Sequence, residues 1–274
     1  MSKISRSRRK FLKTTSAFAS APLVLPNLIS SASPNGKLNH AVIGSDGQGW
    51  SDLNNISSHP NVHITAICDV DTSRMTKAAA KFPDARKYQD WRELLEAEGD
   101  KIDSVQVAIP DHMHASVSIA AMKKNKHVFC EKPPGRSVRE VMDVVDAEKE
   151  NPSLKLMYGF NHRYHDSVED ALEILNSGEL GAVINIRGMY GKAKLITFNQ
   201  PDWRTKRDIS GGGVLLDQGI HMVDLIRLIG GELKNVQSYI SNDHWGYDVE
   251  DNAYAIMKSD DGVVAMLNSS ATQW

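Results

Sequence analysis

Lys132 stands in the run CEKPPG, residues 130–135, held between a glutamate and two prolines just behind the apolar run HVF. A surface lysine needs no such stiff mounting, because proline fixes its own φ and narrows the freedom of the residue ahead of it. Far along the chain, Asp217 and His221 lie four apart at the start of DQGIHMVDLIRLIGG, a spacing that puts both on one face of a helix. An amine, an imidazole and a carboxylate brought together make a proton-transfer unit, in which the carboxylate orients the imidazole and offsets the lysine charge. The plainer alternative is that Asp217 caps the helix and His221 packs in the core. Three glycines at 211–213 would let the backbone ahead of that helix pass close to a ligand.

A second constellation is the turn GSDGQG, residues 44–49, which follows the apolar run HAVI. Gly44, Gly47 and Gly49, with Asp46 and Gln48 between them, approximate the Gly-x-Gly-x-x-Gly turn that brings bare backbone to a pyrophosphate at a helix N-terminus. The second glycine position holds Asp46, so its carboxylate must point away from phosphate while Gly47 provides the close approach. Asp69 ends the next apolar run, twenty residues after Gly49. An acid there accepts hydrogen bonds from both hydroxyls of an adenosine ribose and repels a 2′-phosphate, which favours NAD over NADP. A purely structural turn is the alternative.

These groups need elements to hold them. From Leu38 onward, apolar runs (HAVIG, VHITAICDVD, IDSVQVAIP, HVFCE) alternate with amphipathic runs (WSDLNNISS, SRMTKAAAKF, DHMHASVSIAAMKKN). That order predicts a parallel sheet covered by helices on both faces, an α/β architecture. After residue 159 come a helix, SVEDALEILNSG, and strand-like runs AVINIRGMYG, VQSYI, NAYAIMKS and VVAMLNSSATQW. These predict a second, α+β unit with an open, mainly antiparallel sheet. The last run continues to Trp274, so the second unit is expected to be incomplete at its C-terminal end.

Charge and composition exclude some functions. The chain of 274 residues carries 32 basic and 34 acidic side chains, but residues 1–32 hold six of the basic ones and no acid. The remainder has 26 against 34, a balance of −8, which is wrong for a nucleic-acid binder. At the start, Arg6, Arg8, Arg9, Lys10 and Lys13 precede residues 14–36, which are uncharged and rich in serine and alanine with three prolines. That stretch is a poor membrane span and a good export segment. SRRKFLK resembles a twin-arginine signal, with a small-residue cleavage point near Ala32 and a periplasmic destination; a basic tail is the alternative. Cys68 and Cys130 each close an apolar run and are expected as packed small residues. His112 and His114 are two apart, which does not put them on one helical face, so no metal site is expected. Asp111 is expected as a helix N-cap.

From residue 39 to the end the chain resembles the Gfo/Idh/MocA oxidoreductases. AIPDHMHASVSIAAMKKNKHVFCEKPP is similar to the segment carrying their Pro-x-x-x-His and Glu-Lys-Pro motifs, and SGGGVLLDQGIHMVDL to their Asp-x-Gly-x-His element. The resemblance implies a Rossmann-type domain over residues 33–158, after a signal at 1–32, and a substrate-binding and oligomerisation domain over 159–274. It implies hydride transfer between NAD and a sugar or cyclitol carbon, with Lys132 on the reacting hydroxyl, His221 as general acid/base and Asp217 positioning them. It places Pro110, His114 and Glu131 beside the cofactor and a cis bond between Lys132 and Pro133. It also implies that full-length relatives form homo-oligomers through the second sheet. Asn161, Arg163 and Tyr164 follow the last strand of the first domain, where they meet a polyol or, for Arg163, a helix end. Trp203 and Arg204 stack on and clamp a sugar, or serve an oligomer contact. An exported enzyme of this kind must hold its dinucleotide tightly, since free NAD is scarce outside the cytoplasm. The alternatives are a redox-neutral glycoside hydrolase using the same residues, and a nucleotide- or sugar-binding protein without turnover.

Overall fold

The computed structural model describes residues 36–195 and 202–274. The run read as an export signal, residues 1–32 with its cleavage point near Ala32, lies outside the described residues.

The first half alternates strand and helix. It comprises β1 (Leu38–Ile43), α1 (Gln48–Ser57), β2 (Val62–Cys68), α2 (Thr72–Lys81), β3 (Arg86–Tyr88) and α3 (Trp91–Glu98), then β4 (Ser104–Val107), α4 (His114–Lys123), β5 (His127–Cys130), α5 (Val138–Glu150) and β6 (Leu156–Tyr158). The strands form one parallel sheet in the order β3-β2-β1-β4-β5-β6. Side chains leave alternate faces of a strand. Ala41 and Ile43 accordingly enter the core beneath α3, α4 and α5, while Val42 enters the one beneath α1 and α2. A register shift opposite His40 and Ala41 inserts Thr65 into β2, which puts Ile64 and Ile67 on the same face. Asp71, Asp90 and Ser137 cap α2, α3 and α5 by accepting a backbone N–H, each cap contributing about 1 kcal/mol.

The chain runs outward from β1 to β3 and then outward again from β4 to β6, so the order reverses between β1 and β4. A crevice opens there, beyond the carboxyl ends of the strands. The glycine turn after β1 and the loop after β4 form its two lips. Gly44 has φ +90°, and a Cβ on it would lie 2.0 Å from the Ala108 carbonyl oxygen, so only glycine lets the lips close this far.

The second half contributes α6 (Asp166–Asn176), β7 (Asn185–Gly191), α7 (Ile220–Gly230), β8 (Leu233–Ser241), β9 (Asn252–Ser259) and β10 (Val264–Ser270). The sheet order is β7-β10-β9-β8; two pairings are antiparallel and the third, β10 with β7, is parallel. β10 ends at Ser270, ahead of the last residue, so the final residues do not extend the strand as the sequence suggested. Helix α7 lays Met222, Val223 and Ile226 on one sheet face, against Met257, Ala265 and Leu267. Met189, Tyr239, Ile256 and Met266 are exposed on the sheet. Among the described residues no helix is long and apolar enough to cross a membrane.

Candidate active site

A cavity of about 800 Å³ begins at the crevice and runs to the start of α7. Its near end is built by Gly44, Asp46, Gly47, Gln48 and Gly49 with Asp69 at the tip of β2. Gly47 has φ +55° and open space where a Cβ would stand, so the turn presents bare backbone to the cavity at the first residues of α1. Asp46 is turned towards Arg74, with a carboxylate–guanidinium distance of 3.6 Å. Asp69 is fixed by its neighbours: Ser45 N donates to Oδ2 at 3.1 Å and Asp71 N to Oδ1 at 3.2 Å. A backbone cradle opposite a fixed carboxylate suits the pyrophosphate and adenosine ribose of NAD. Pro110, His114, Glu131 and Lys132 line the middle.

Lys132 follows β5, and its bond to Pro133 is cis. The mounting is completed by His114, the first residue of α4. Its ring lies between two carbonyl oxygens, with Nδ1 2.7 Å from Pro133 O and Nε2 2.7 Å from Ile109 O. Burial holds this imidazole below its ordinary pKa despite those carbonyls. His114 therefore braces the Lys132 turn against the lip after β4. Asp111, expected as a helix cap, makes no capping hydrogen bond. It is buried in the cavity wall instead, and burial raises its carboxyl to about 8, against the pull of the Lys132 ammonium.

At the far end, Lys132 Nζ donates to the backbone oxygen of Asp217 at 2.6 Å and lies 3.6 Å from its carboxylate. The same carboxylate sits 3.6 Å from Lys192 Nζ and 3.4 Å from Arg204 Nε, and accepts from Gln218 Nε2 at 2.7 Å. Burial alone would raise Asp217, but the three cations outweigh it and leave the carboxyl below its usual value. Asp217 does not cap a helix; it lies in a π-helical turn, Leu215–Gly219, that leads into α7. Such turns displace side chains from the regular helical face and recur at functional sites.

His221 is buried beside this cluster, and its pKa falls to about 4 through burial, the Lys132 charge and His162. It is therefore neutral at pH 7 and able to take a proton. Its Nδ1 is buried without a hydrogen-bond partner. His162 stacks on it face to face, with ring centroids 4.1 Å apart and planes 12° apart.

Asn161, Trp203 and Arg204 line the cavity, with the Arg204 guanidinium 4.4 Å from the Trp203 ring centre. Arg163 and Tyr164 do not. Arg163 is turned to Asp224 of α7, with Nε donating at 2.7 Å, and Tyr164 is 59% exposed. The segment is a 3₁₀ turn, Asn161–Tyr164, whose four side chains cannot all face one way; it brings Asn161 to the cavity and Arg163 to α7, the second of the two places expected for that arginine. The glycines at 211–213 also differ from expectation. They approach the protein itself, a Cβ on Gly213 lying 2.0 Å from Glu250 O and one on Gly211 2.5 Å from Arg136 Cβ. The sequence reading missed His162, Tyr190 and Lys192. The first of the two histidines in FNHRYHD, residues 160–166, was the one available signal, whereas Tyr190 and Lys192 are brought in by β7 and the residue after it.

No group of three or more His, Cys, Asp or Glu side chains able to hold a metal occurs among the described residues. Cys68 and Cys130 are buried free thiols.

Comparison with known proteins gives the family. Residues 38–160 match the model of an oxidoreductase family with an NAD-binding Rossmann fold, and residues 168–274 match the Gfo/Idh/MocA C-terminal domain. A levoglucosan dehydrogenase of Pseudarthrobacter phenanthrenivorans is 31% identical over 64% of this chain and 44% of its own length. An inositol 2-dehydrogenase of Salmonella typhimurium is 29% identical over 65% of this chain and 50% of its own. The chain thus spans about half the length of these curated relatives. A solved levoglucosan dehydrogenase in complex with NADH superposes with a TM-score of 0.79 at 26% identity, over 86% of this chain and 68% of that one. With both family domains matched in order along it, the chain belongs to the Gfo/Idh/MocA oxidoreductases.

Proposed function

We propose that this protein is an NAD-dependent oxidoreductase acting on a hydroxyl-bearing carbon of a sugar or cyclitol. The reading is carried by one observation: Lys132, Asp217 and His221 meet in the same cavity as the glycine turn and Asp69. NAD⁺, when bound, supplies the hydride acceptor. The glycine turn and Asp69 would hold it, with Glu131 near the nicotinamide ribose.

In oxidation the substrate carbon loses a hydride while its hydroxyl loses a proton. His221, neutral at physiological pH, takes that proton. Lys132 Nζ donates to the hydroxyl oxygen and stabilises the negative charge that grows there as the proton leaves. Asp217 keeps Lys132, Lys192 and Arg204 together, so the ammonium is held in position rather than free to rotate. Trp203 offers an apolar face for a sugar ring, and Asn161 and Arg204 offer polar contacts to its hydroxyls. A solved relative, levoglucosan dehydrogenase in complex with NADH and levoglucosan, supports this substrate class.

Incubated with NAD⁺ and a panel of free sugars and cyclitols, the purified protein should generate NADH with at least one. No NADH with any of them, together with release of p-nitrophenol from aryl glycosides without added NAD⁺, would replace this reading with the redox-neutral hydrolase.

The basic run ahead of the uncharged segment supports twin-arginine export, cleavage near Ala32 and a periplasmic destination. A protein working there keeps its nucleotide through gel filtration; complete loss from the mature protein would contradict tight binding. The exposed apolar side chains of the second sheet fit pairing with another copy.

A further inference from the structure

We infer that His162 is a positioning residue for His221, holding the plane of the imidazole that takes the substrate proton and sharing a single proton with it. This rests on the functional reading above. A catalytic histidine is commonly oriented by a hydrogen bond from one ring nitrogen to a carboxylate or carbonyl. His221 lacks that device. Its Nδ1 is buried with no partner, and the Asp217 carboxylate beside it is taken up by Lys132, Lys192, Arg204 and Gln218.

What fixes the ring is contact with its faces and edge. His162 lies against it at 4.1 Å and 12°, Phe160 meets it edge-on at 6.1 Å and 83°, and Tyr190 lies nearly parallel to both imidazoles. Flat contact leaves the ring nitrogens clear while excluding rotation of the ring about its bond to the chain.

Two imidazoles this close do not both accept a proton freely, because the first charge repels the second. The groups facing His221 are Lys132 and His162, which oppose its protonation, and Asp217 and Asp224, which favour it. Those facing His162 are His165 and Lys132, which oppose protonation, and Asp224, which favours it. Burial acts on both rings in the same direction as Lys132. A proton resting on His162 therefore delays protonation of His221 and extends the range over which it serves as a base.

The test compares His162→Phe, which keeps a flat ring without the charge, with His162→Ala, which removes both. Histidine side-chain resonances are titrated by NMR, with His221 assigned from the spectrum of His221→Asn. The midpoint of His221 is expected to rise by about half a pH unit or more in His162→Phe, since a neighbouring positive charge is gone. In the turnover assay the acid limb of kcat/KM should move up with it. His162→Ala is expected to lose about tenfold in kcat with KM little changed, and His162→Phe to keep kcat within about threefold at pH 8. An unchanged His221 midpoint in both variants, or equal losses of kcat in the two, would overturn the inference. The titration needs no turnover. Absence of dehydrogenase activity would thus defeat the functional reading while the midpoint still decides whether the two rings share a proton.

Discussion

Asp217 is a single buried carboxylate answering three cations. Removing it as Asp217→Asn leaves Lys132, Lys192 and Arg204 crowded without a counter-charge, and uncompensated buried charge costs about 3–5 kcal/mol. Lys132→Met is different, because Lys192 and Arg204 still face the carboxylate. Thermal unfolding should therefore show Asp217→Asn strongly destabilised and Lys132→Met nearly unchanged. Both should lose turnover by about a hundredfold or more, since positioning and charge stabilisation of the hydroxyl fail together. A Lys132→Met protein that unfolds early, or that turns over normally, would contradict these roles.

The elements divide into those whose pattern is local and those made by contacts at a distance. The first sheet was legible because buried parallel strands read as apolar runs and the helices between them are amphipathic. The glycine turn was legible because its position between strand and helix gives each glycine a task. By contrast, β3 is three residues long and mostly exposed, too short to show a period. The π-helical turn carrying Asp217 has no sequence period of its own. The arrival of Tyr190 and Lys192 depends on β7 pairing with β10, which no local pattern announces. The triple glycine illustrates the same limit: its composition announces a close approach but not the partner, and Gly213 meets Glu250 O. Gly213→Ala should push the segment entering Asp217 off that carbonyl, with a loss of about 1–3 kcal/mol and a clear fall in kcat. Urea unfolding and steady-state kinetics check both. A variant as active and as stable as the parent would mean that this contact does not set the site.

For the whole molecule, buried acids give the stability a distinctive pH dependence. Asp52 on α1 is buried with one carboxylate oxygen unpartnered, and burial, then the Glu131 charge, raise it to about 7 against the Gln48 hydrogen bond. An acid held above its ordinary value binds more protons in the native than in the unfolded chain. Stability from this group is thus complete below about pH 4 and is lost as pH rises through about 7. Asp52→Asn should be near neutral at pH 4 and more stable than the parent by on the order of 2 kcal/mol at pH 8. Chemical unfolding at the two values measures the difference, and an equal effect at both would sink the argument. Glu131 faces Asp52 from the cavity side, so the same repulsion links the cofactor end of the cavity to the fold as a whole.

One crystal structure of the protein grown with NADH bears on all of this. The adenosine ribose should lie on the Asp69 carboxylate and the pyrophosphate on the glycine turn, with nicotinamide C4 facing the space between Lys132 Nζ and the His221 ring. Nucleotide bound in the opposite direction, or a nicotinamide ring out of reach of both side chains, would contradict the proposed chemistry.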